Sequence, residues 1–158
     1  MSASFLKLIN NKSKFNLFLF TKLPSAFLCG VRVQSADEGK CIVTVPFKWL
    51  SQNPFKSTYF ACLSMAAEMS TGILGLAHIH QRKPAVSMLV VNISGNFVKK
   101  AVGRTTFICN DGLLINQTIE DAIASGQGKT LTAKSIGTNA AGEVVAEFFI
   151  TWSFKSKQ

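Results

Sequence analysis

The sequence is short of negative charge: 8 Asp and Glu stand against 17 Lys and Arg in 158 residues, for a formal net charge of +9. An excess of that size invites a nucleic-acid partner. The chain lacks what such a partner would need. Its basic residues are scattered (Lys7, Lys12, Lys14 and Lys22; Lys99, Lys100 and Arg104; Lys155 and Lys157), with no dense stripe interleaved with stacking aromatics and no RNP or zinc-finger pattern. No nucleic acid is therefore expected as a partner. Positive charge can also hold the phosphates of a nucleotide-bearing carrier, and charge alone does not choose between the two uses. A phosphate loop is missing too: Gln127-Gly128-Lys129 lacks its spacing and reads as a turn before a strand.

Metal chemistry has little to work with. Cys29, Cys41, Cys62 and Cys109 are far apart and in no ligand spacing, and His78 and His80, two residues apart on a helix, point to different faces. No metal is expected. Three of the cysteines lie in apolar surroundings, where a reduced thiol behaves as a small hydrophobe, so a reducing cytoplasm is the expected compartment. There is no repeat period and no low-complexity tract, and the length suits one domain with a sizeable core. Phe15–Phe20 is greasy but short, bounded by lysines and followed by no prompt small-residue cleavage site, so a signal peptide is not expected. Phe5, Leu6, Leu8 and Ile9, then Leu17, Phe20, Leu23 and Phe27, fit amphipathic helices that pack across the domain. A basic helix lying on a membrane surface is the sharper alternative.

One further absence is the most informative. Between Lys56 and Arg82, Ser57–Gln81 contains a single residue of fixed charge, Glu68. On a helix its neighbours are Ser64, Met65, Thr71 and Gly72, none of them basic. A carboxylate so placed must find a distant partner, take up a proton or do chemistry. The run is long enough to span a bilayer, but a central Glu, two glycines, several hydroxyls and the histidines weigh against that. A helix apolar on most of its circumference is more simply the core of a soluble domain.

Around that helix the patterns are those of strands. Cys29–Ala36 and Cys41–Val45 alternate on either side of Asp37-Glu38-Gly39-Lys40, and Pro46 ends the second. Asn53-Pro54 opens a connection, Ser57 or Thr58 is placed to cap the long helix, and Pro84 closes its exit. Val86–Val98, with a kink or bulge at Gly95, and Val102–Cys109 flank a turn at Lys99-Lys100-Ala101. Leu113–Ser125 reads as a second short helix through Ile115, Ile119, Ala122 and Ile123. Thr130–Thr138 and Glu143–Phe154 pair across Asn139-Ala140-Ala141-Gly142, with Phe148, Ile150, Trp152 and Phe154 on one face. The whole is an α+β layout, one long central helix wrapped by a curved antiparallel sheet.

That order, with Leu23-Pro24, Gly30-Val31-Arg32-Val33, Asn53-Pro54-Phe55 through Ala66-Ala67-Glu68, and Thr71-Gly72-Ile73-Leu74, resembles the hot-dog fold of acyl-CoA thioesterases, and most of all the DUF4442 branch. The resemblance runs from about Leu23 to Phe154 and takes in the leading helices. It implies one domain over 1–158, with an N-terminal helical extension over 1–28 and a hot-dog core over 29–154. In thioesterases of the phenylacetate-pathway type an Asn precedes a His-Gly-Gly that opens the helix, and an acid follows one face on. Asn53 and Glu68 match in spacing, while Tyr59, Phe60 and Ala61 stand where His-Gly-Gly would be.

By that resemblance Glu68 acts as general base on water or as nucleophile at a thioester carbonyl, and backbone N–H groups near Phe60 and Ala61 hold the oxyanion. Asn53 orients water or the carbonyl, Ser87 supplies a helping hydroxyl, and Lys99, Lys100 and Arg104 meet the carrier's phosphates. Each has a plainer reading: Glu68 as an ion pair across a dimer, Asn53 as a turn opener, Ser87 as an ordinary strand residue and the three cations as a solvated turn. The expected function is hydrolysis of an acyl-CoA or related acyl thioester at the interface of a homodimer or dimer of dimers. No cofactor is expected beyond the coenzyme A of the substrate. The alternative is a non-catalytic protein of the same fold that binds an acyl chain, a fatty acid or an acyl-CoA, which Phe60 and Ala61 favour.

Overall fold

The computed structural model describes residues 2–157. Three helices lead the chain: α1 (Ala3–Asn10), α2 (Lys12–Lys22) and α3 (Pro24–Cys29). Each start has a local cause. Ser2 Oγ accepts from the Phe5 N–H, Asn11 Oδ1 accepts from the Lys14 N–H, and Pro24 occupies the first turn of α3. Gly30, in the left-handed region at φ 84°, stops α3. The strand expected from Cys29 therefore begins only at Arg32, because the helix runs through Cys29.

The helices are pinned by Phe5, Ile9, Phe15 and Leu19, all buried. The apolar stripe expected on α2 is its outer one: Leu17, Phe20 and Leu23 are 63%, 55% and 43% exposed. Phe15 and Leu19, four residues apart, form the inner face instead.

The sheet comprises β1 (Arg32–Ala36), β2 (Cys41–Val45), β3 (Val86–Phe97), β4 (Thr105–Cys109), β5 (Lys129–Thr138) and β6 (Val144–Ser156), in the order β1-β2-β4-β5-β6-β3. Every pairing is antiparallel. The central helix α4 (Phe60–Ile79) lies against this sheet, and α5 (Gly112–Ser125) packs on α4, β5 and β6. Ser70 and Ser135 share a 2.7 Å hydrogen bond in the core, and the Trp152 indole N–H donates to Thr71 Oγ1 at 2.9 Å. Those two bonds fix the rotation of α4 about its axis. The apolar character that would suit a bilayer serves the domain interior, where 67% of the most apolar stretch of α4 is buried.

Two connections differ from expectation. β3 and β4 do not form a hairpin: β3 pairs only with β6, β4 sits between β2 and β5, and β4 starts at Thr105 rather than Val102. Lys99–Arg104 is thus a crossing loop, not a tight turn. Neither Ser57 nor Thr58 caps α4; Thr58 Oγ1 donates to the Ala101 carbonyl at 3.1 Å, and Tyr59 holds the cap position without a side-chain bond.

The two edges of the sheet are unequal. β1 is covered by the helices, and Asn10 bonds both the N–H and the carbonyl of Ala36 at its end. β3 is twelve residues long with its outer edge bare, and Leu89, Val91, Ile93 and Phe97 are exposed along it. Natural sheets rarely leave a long apolar edge uncovered.

The cysteines are reduced, and Cys41 stands directly opposite Cys109 across β2 and β4. Burial holds the Cys62 and Cys109 thiols up at about 12, which makes them packing groups and not nucleophiles.

His78 and His80 differ in surroundings, although both line one cavity with Ser2, Gln81 and Arg82. His80 stacks on Phe5 at 4.8 Å, whereas His78 is buried with neither ring nitrogen hydrogen-bonded among the described residues. Burial, chiefly, pushes the His78 pKa down. The unfolded chain then takes up a proton at about 6.5 where the folded one resists it, so stability declines as pH falls below that value. The His78→Leu variant is expected to lose less Tm than wild type between pH 7.5 and 5.5. Parallel melting curves over that range would rule this out.

Candidate functional site

The loop before α4 is built on Asn53. Its Oδ1 accepts from the N–H groups of Phe55 and Ser57 (2.9 and 3.2 Å) and lies 3.2 Å from Ser57 Oγ; its Nδ2 reaches Ser57 Oγ at 3.1 Å and the Thr58 carbonyl at 3.5 Å. The amide is spent on the turn, the plainer of its two roles. What the turn positions is the start of α4. The Tyr59 N–H donates to Ser51 O, but the N–H groups of Phe60 and Ala61 meet no acceptor among the described residues. The first turn of a helix leaves such donors over, with the positive end of the dipole behind them.

Phe60, at the head of this turn, borders a cleft of about 640 Å³ between the Asn53–Leu63 segment and the Phe97–Ala101 loop. Asn53, Phe60, Lys99 and Lys100 line it. Lys99 is held there by Glu143 at 2.6 Å, and the Lys100 ammonium lies 3.4 Å from the Phe55 carbonyl. Tyr59 and Phe60 meet edge to face at 4.8 Å, and both rings are exposed.

Glu68 lies elsewhere. It faces an apolar cavity of about 250 Å³ formed with Leu23, Met69, Ile73, Leu76, Met88 and Trp152. No cation or hydrogen-bond donor pairs with its carboxylate among the described residues, and burial pushes its pKa up. Gly72 makes room for it: a Cβ there would lie 3.1 Å from Glu68 Oε1 and 3.1 Å from the Trp152 ring. Phe60 and Glu68 are eight residues apart on α4, about 12 Å along the axis. A single chain therefore does not bring the two to one point.

Ser87 reaches neither cavity. Strand alternation turns Met88 inward and Ser87 to the other face, where its hydroxyl donates to the Lys155 carbonyl at 3.0 Å. Arg104 is also apart, in a cavity beside α2 and β1. Sequence reasoning placed Gly72 beside Glu68 but missed Met88 and Trp152 as walls around it.

A central helix of twenty residues, clasped by a six-stranded antiparallel sheet in the order above, is shared with solved proteins of one architecture. This is the hot-dog fold. A probable thioesterase of Pseudomonas aeruginosa superposes with a TM-score of 0.78 at 21% identity, covering 92% of this chain and 96% of that one. A protein of unknown function from Chlorobaculum tepidum gives 0.80 at 16% identity over 98% and 99% of the two chains. A thioesterase of Haemophilus influenzae gives 0.66 at 14% identity over 92% and 91%. No protein-family model matches the chain. No curated protein matches it either. At these identities the likeness to other hot-dog proteins is one of fold.

Proposed function

We propose that the protein is a hot-dog thioesterase of the DUF4442 kind, hydrolysing an acyl-CoA or related acyl thioester at sites formed between two copies. The observation that carries this reading is Glu68, an unpaired carboxylate facing an apolar cavity with its pKa raised. Leaving such a group uncompensated costs stability, and a raised pKa brings a carboxylate nearer to working pH as a base. The bare β3 edge supports the pairing of copies, since joining two β3 strands would cover its apolar side chains.

In this reading Glu68 of one copy faces the free Phe60 and Ala61 N–H groups of the other. The acyl chain occupies the apolar cavity. The Glu68 carboxylate takes a proton from water as the oxygen attacks the thioester carbonyl, and the N–H groups hold the resulting oxyanion. Collapse of the intermediate breaks the C–S bond, and the Glu68 proton passes to the leaving thiolate. Asn53 takes part by fixing the turn ahead of α4. No metal or cofactor enters beyond the substrate's coenzyme A, and reduced, buried thiols fit a cytoplasmic setting.

The exposed Phe60 ring beside the free donors favours a second reading, an acyl or fatty-acid binding protein without turnover. Thiol release from a panel of acyl-CoAs separates the two. Release supports the enzyme; tight binding of a long-chain acyl-CoA without release supports the binding protein. The pairing of copies has its own check. Leu89 and Val91 are 65% and 51% exposed, so the double variant Leu89→Glu/Val91→Glu is expected to keep its circular dichroism and sediment as a monomer with little turnover. Full activity in a monomeric variant would remove the shared site.

A further inference from the structure

The positive charge is not spread evenly once the chain is folded. Lys12 on α2, Arg32 on β1 and Arg104 just ahead of β4 converge on one cavity of about 300 Å³, whose polar walls include Asn16 and Gln34. Lys48 reaches the rim: a Cβ on Gly30, which also lines the cavity, would lie 3.0 Å from Lys48 Nζ. No Asp or Glu lines the cavity, and the ion pairs among the described residues involve none of these four cations. Like charges brought together without an acid raise the energy of the folded state unless an anion joins them.

Arg32 makes this a prepared site and not a chance meeting of surface lysines. Its guanidinium stacks on the Phe27 ring at 4.3 Å, and Nη1 is fixed by the Phe27 and Val31 carbonyls at 2.9 and 2.7 Å. The remaining donors of that fork find no acceptor among the described residues. A planar, immobilised guanidinium with free donors matches the oxygens of a phosphoryl group, and the volume suffices for one.

We infer that the cavity bounded by Lys12, Arg32 and Arg104 binds the phosphoryl group of a small phosphate ester. Lys99, by contrast, is already engaged by Glu143. Taking the phosphate to be the coenzyme A end of a substrate rests on the thioesterase reading; the binding of a phosphoryl group does not.

Titration calorimetry with pyrophosphate, coenzyme A and 3′-dephospho-coenzyme A, on the full chain at low salt, tests this. Lys12 and Arg104 are exposed and their side chains make no hydrogen bond or ion pair among the described residues, so Lys12→Glu/Arg104→Glu should fold normally. Its Kd for pyrophosphate and coenzyme A is expected to rise at least about tenfold. Lys155→Glu/Lys157→Glu, an equal change of net charge elsewhere, is expected to leave Kd within about twofold. Equal weakening in both variants, unchanged Kd in the first, or no binding of either ligand to wild type would each overturn the site. Weaker coenzyme A binding with unchanged pyrophosphate binding would overturn it as well. A greater loss for coenzyme A than for its dephospho form identifies the monoester as the bound group. Phosphate binding without thiol release leaves the site standing and removes the enzyme. Thiol release with both KM and the pyrophosphate Kd unmoved in the first variant keeps the enzyme and removes the site.

Discussion

Glu68→Gln is expected to lower thiol release by about 10²–10⁴-fold while leaving the fold and its oligomeric state intact. Gln keeps the shape and loses the base. The same substitution should raise stability at pH 7–8, which loss of a structural ion pair would not do. Burial holds the Glu68 pKa above its ordinary value, so in the window between the two the folded chain keeps a proton that the unfolded chain releases. Above the folded pKa the ionised carboxylate is a full penalty on the native state, and the amide does not carry it. As pH falls through the folded pKa toward about 4.3, the advantage of the variant should disappear. Tm measured from pH 8 to pH 4, alongside turnover at pH 7.5, reads both effects. A variant that loses stability at neutral pH would make Glu68 an ion-pair partner across copies, and one that turns over normally would remove it from the chemistry.

Gly112→Ala is expected to be among the most destabilising single-methyl additions in the chain. Gly112 opens α5, its N–H donates to Gly39 O at 3.0 Å, and the turn between β1 and β2 lies directly against it. A Cβ there would overlap the Glu38 carbonyl oxygen and come within 2.8 Å of Gly39 Cα. Both obstacles are backbone, so no rotamer change relieves them; either α5 or the turn must move. A cost of about 3 kcal/mol is expected, lowering Tm by roughly 6–12 °C in a domain of this length. Gly39→Ala, whose Cβ would meet only Asp37 Oδ1 at 3.8 Å, is the control and should be nearly silent. Equal melting of the two variants would mean that the turn yields freely.

The central feature of the fold was legible because it was extreme. A run with one fixed charge can be little other than a buried helix, and Glu68 announced itself by having no company on its own face. The strands of β5 and β6 were legible for a similar reason, since a local turn joins them. Pairings set by distant segments were not. Nothing near Lys99-Lys100-Ala101 tells that β3 turns away to β6 and leaves β4 to β2 and β5. The inner face of α2 was misjudged because Leu17 and Phe20 are as apolar as Phe15 and Leu19, and only packing against β1 chooses between them. Ser87 shows how parity decides: one residue along, Met88 faces the Glu68 cavity. The separation of Asn53 from Glu68, and the meeting of Arg104 with Lys12 and Arg32, likewise belong to the folded chain alone.

The lone strand pairing of β3, with β6, has a consequence for the order of events in the cell. β3 runs from Val86 to Phe97, but its one strand partner among the described residues, Val144–Ser156, is made some fifty residues later. While a ribosome is still making that strand, β3 has α4 to lie against but no strand to pair with. Until β6 emerges, a nascent chain therefore carries β3 as an apolar strand unpaired on both edges, where association with other chains is easiest. The length of that exposure is set by the speed of translation between the two segments.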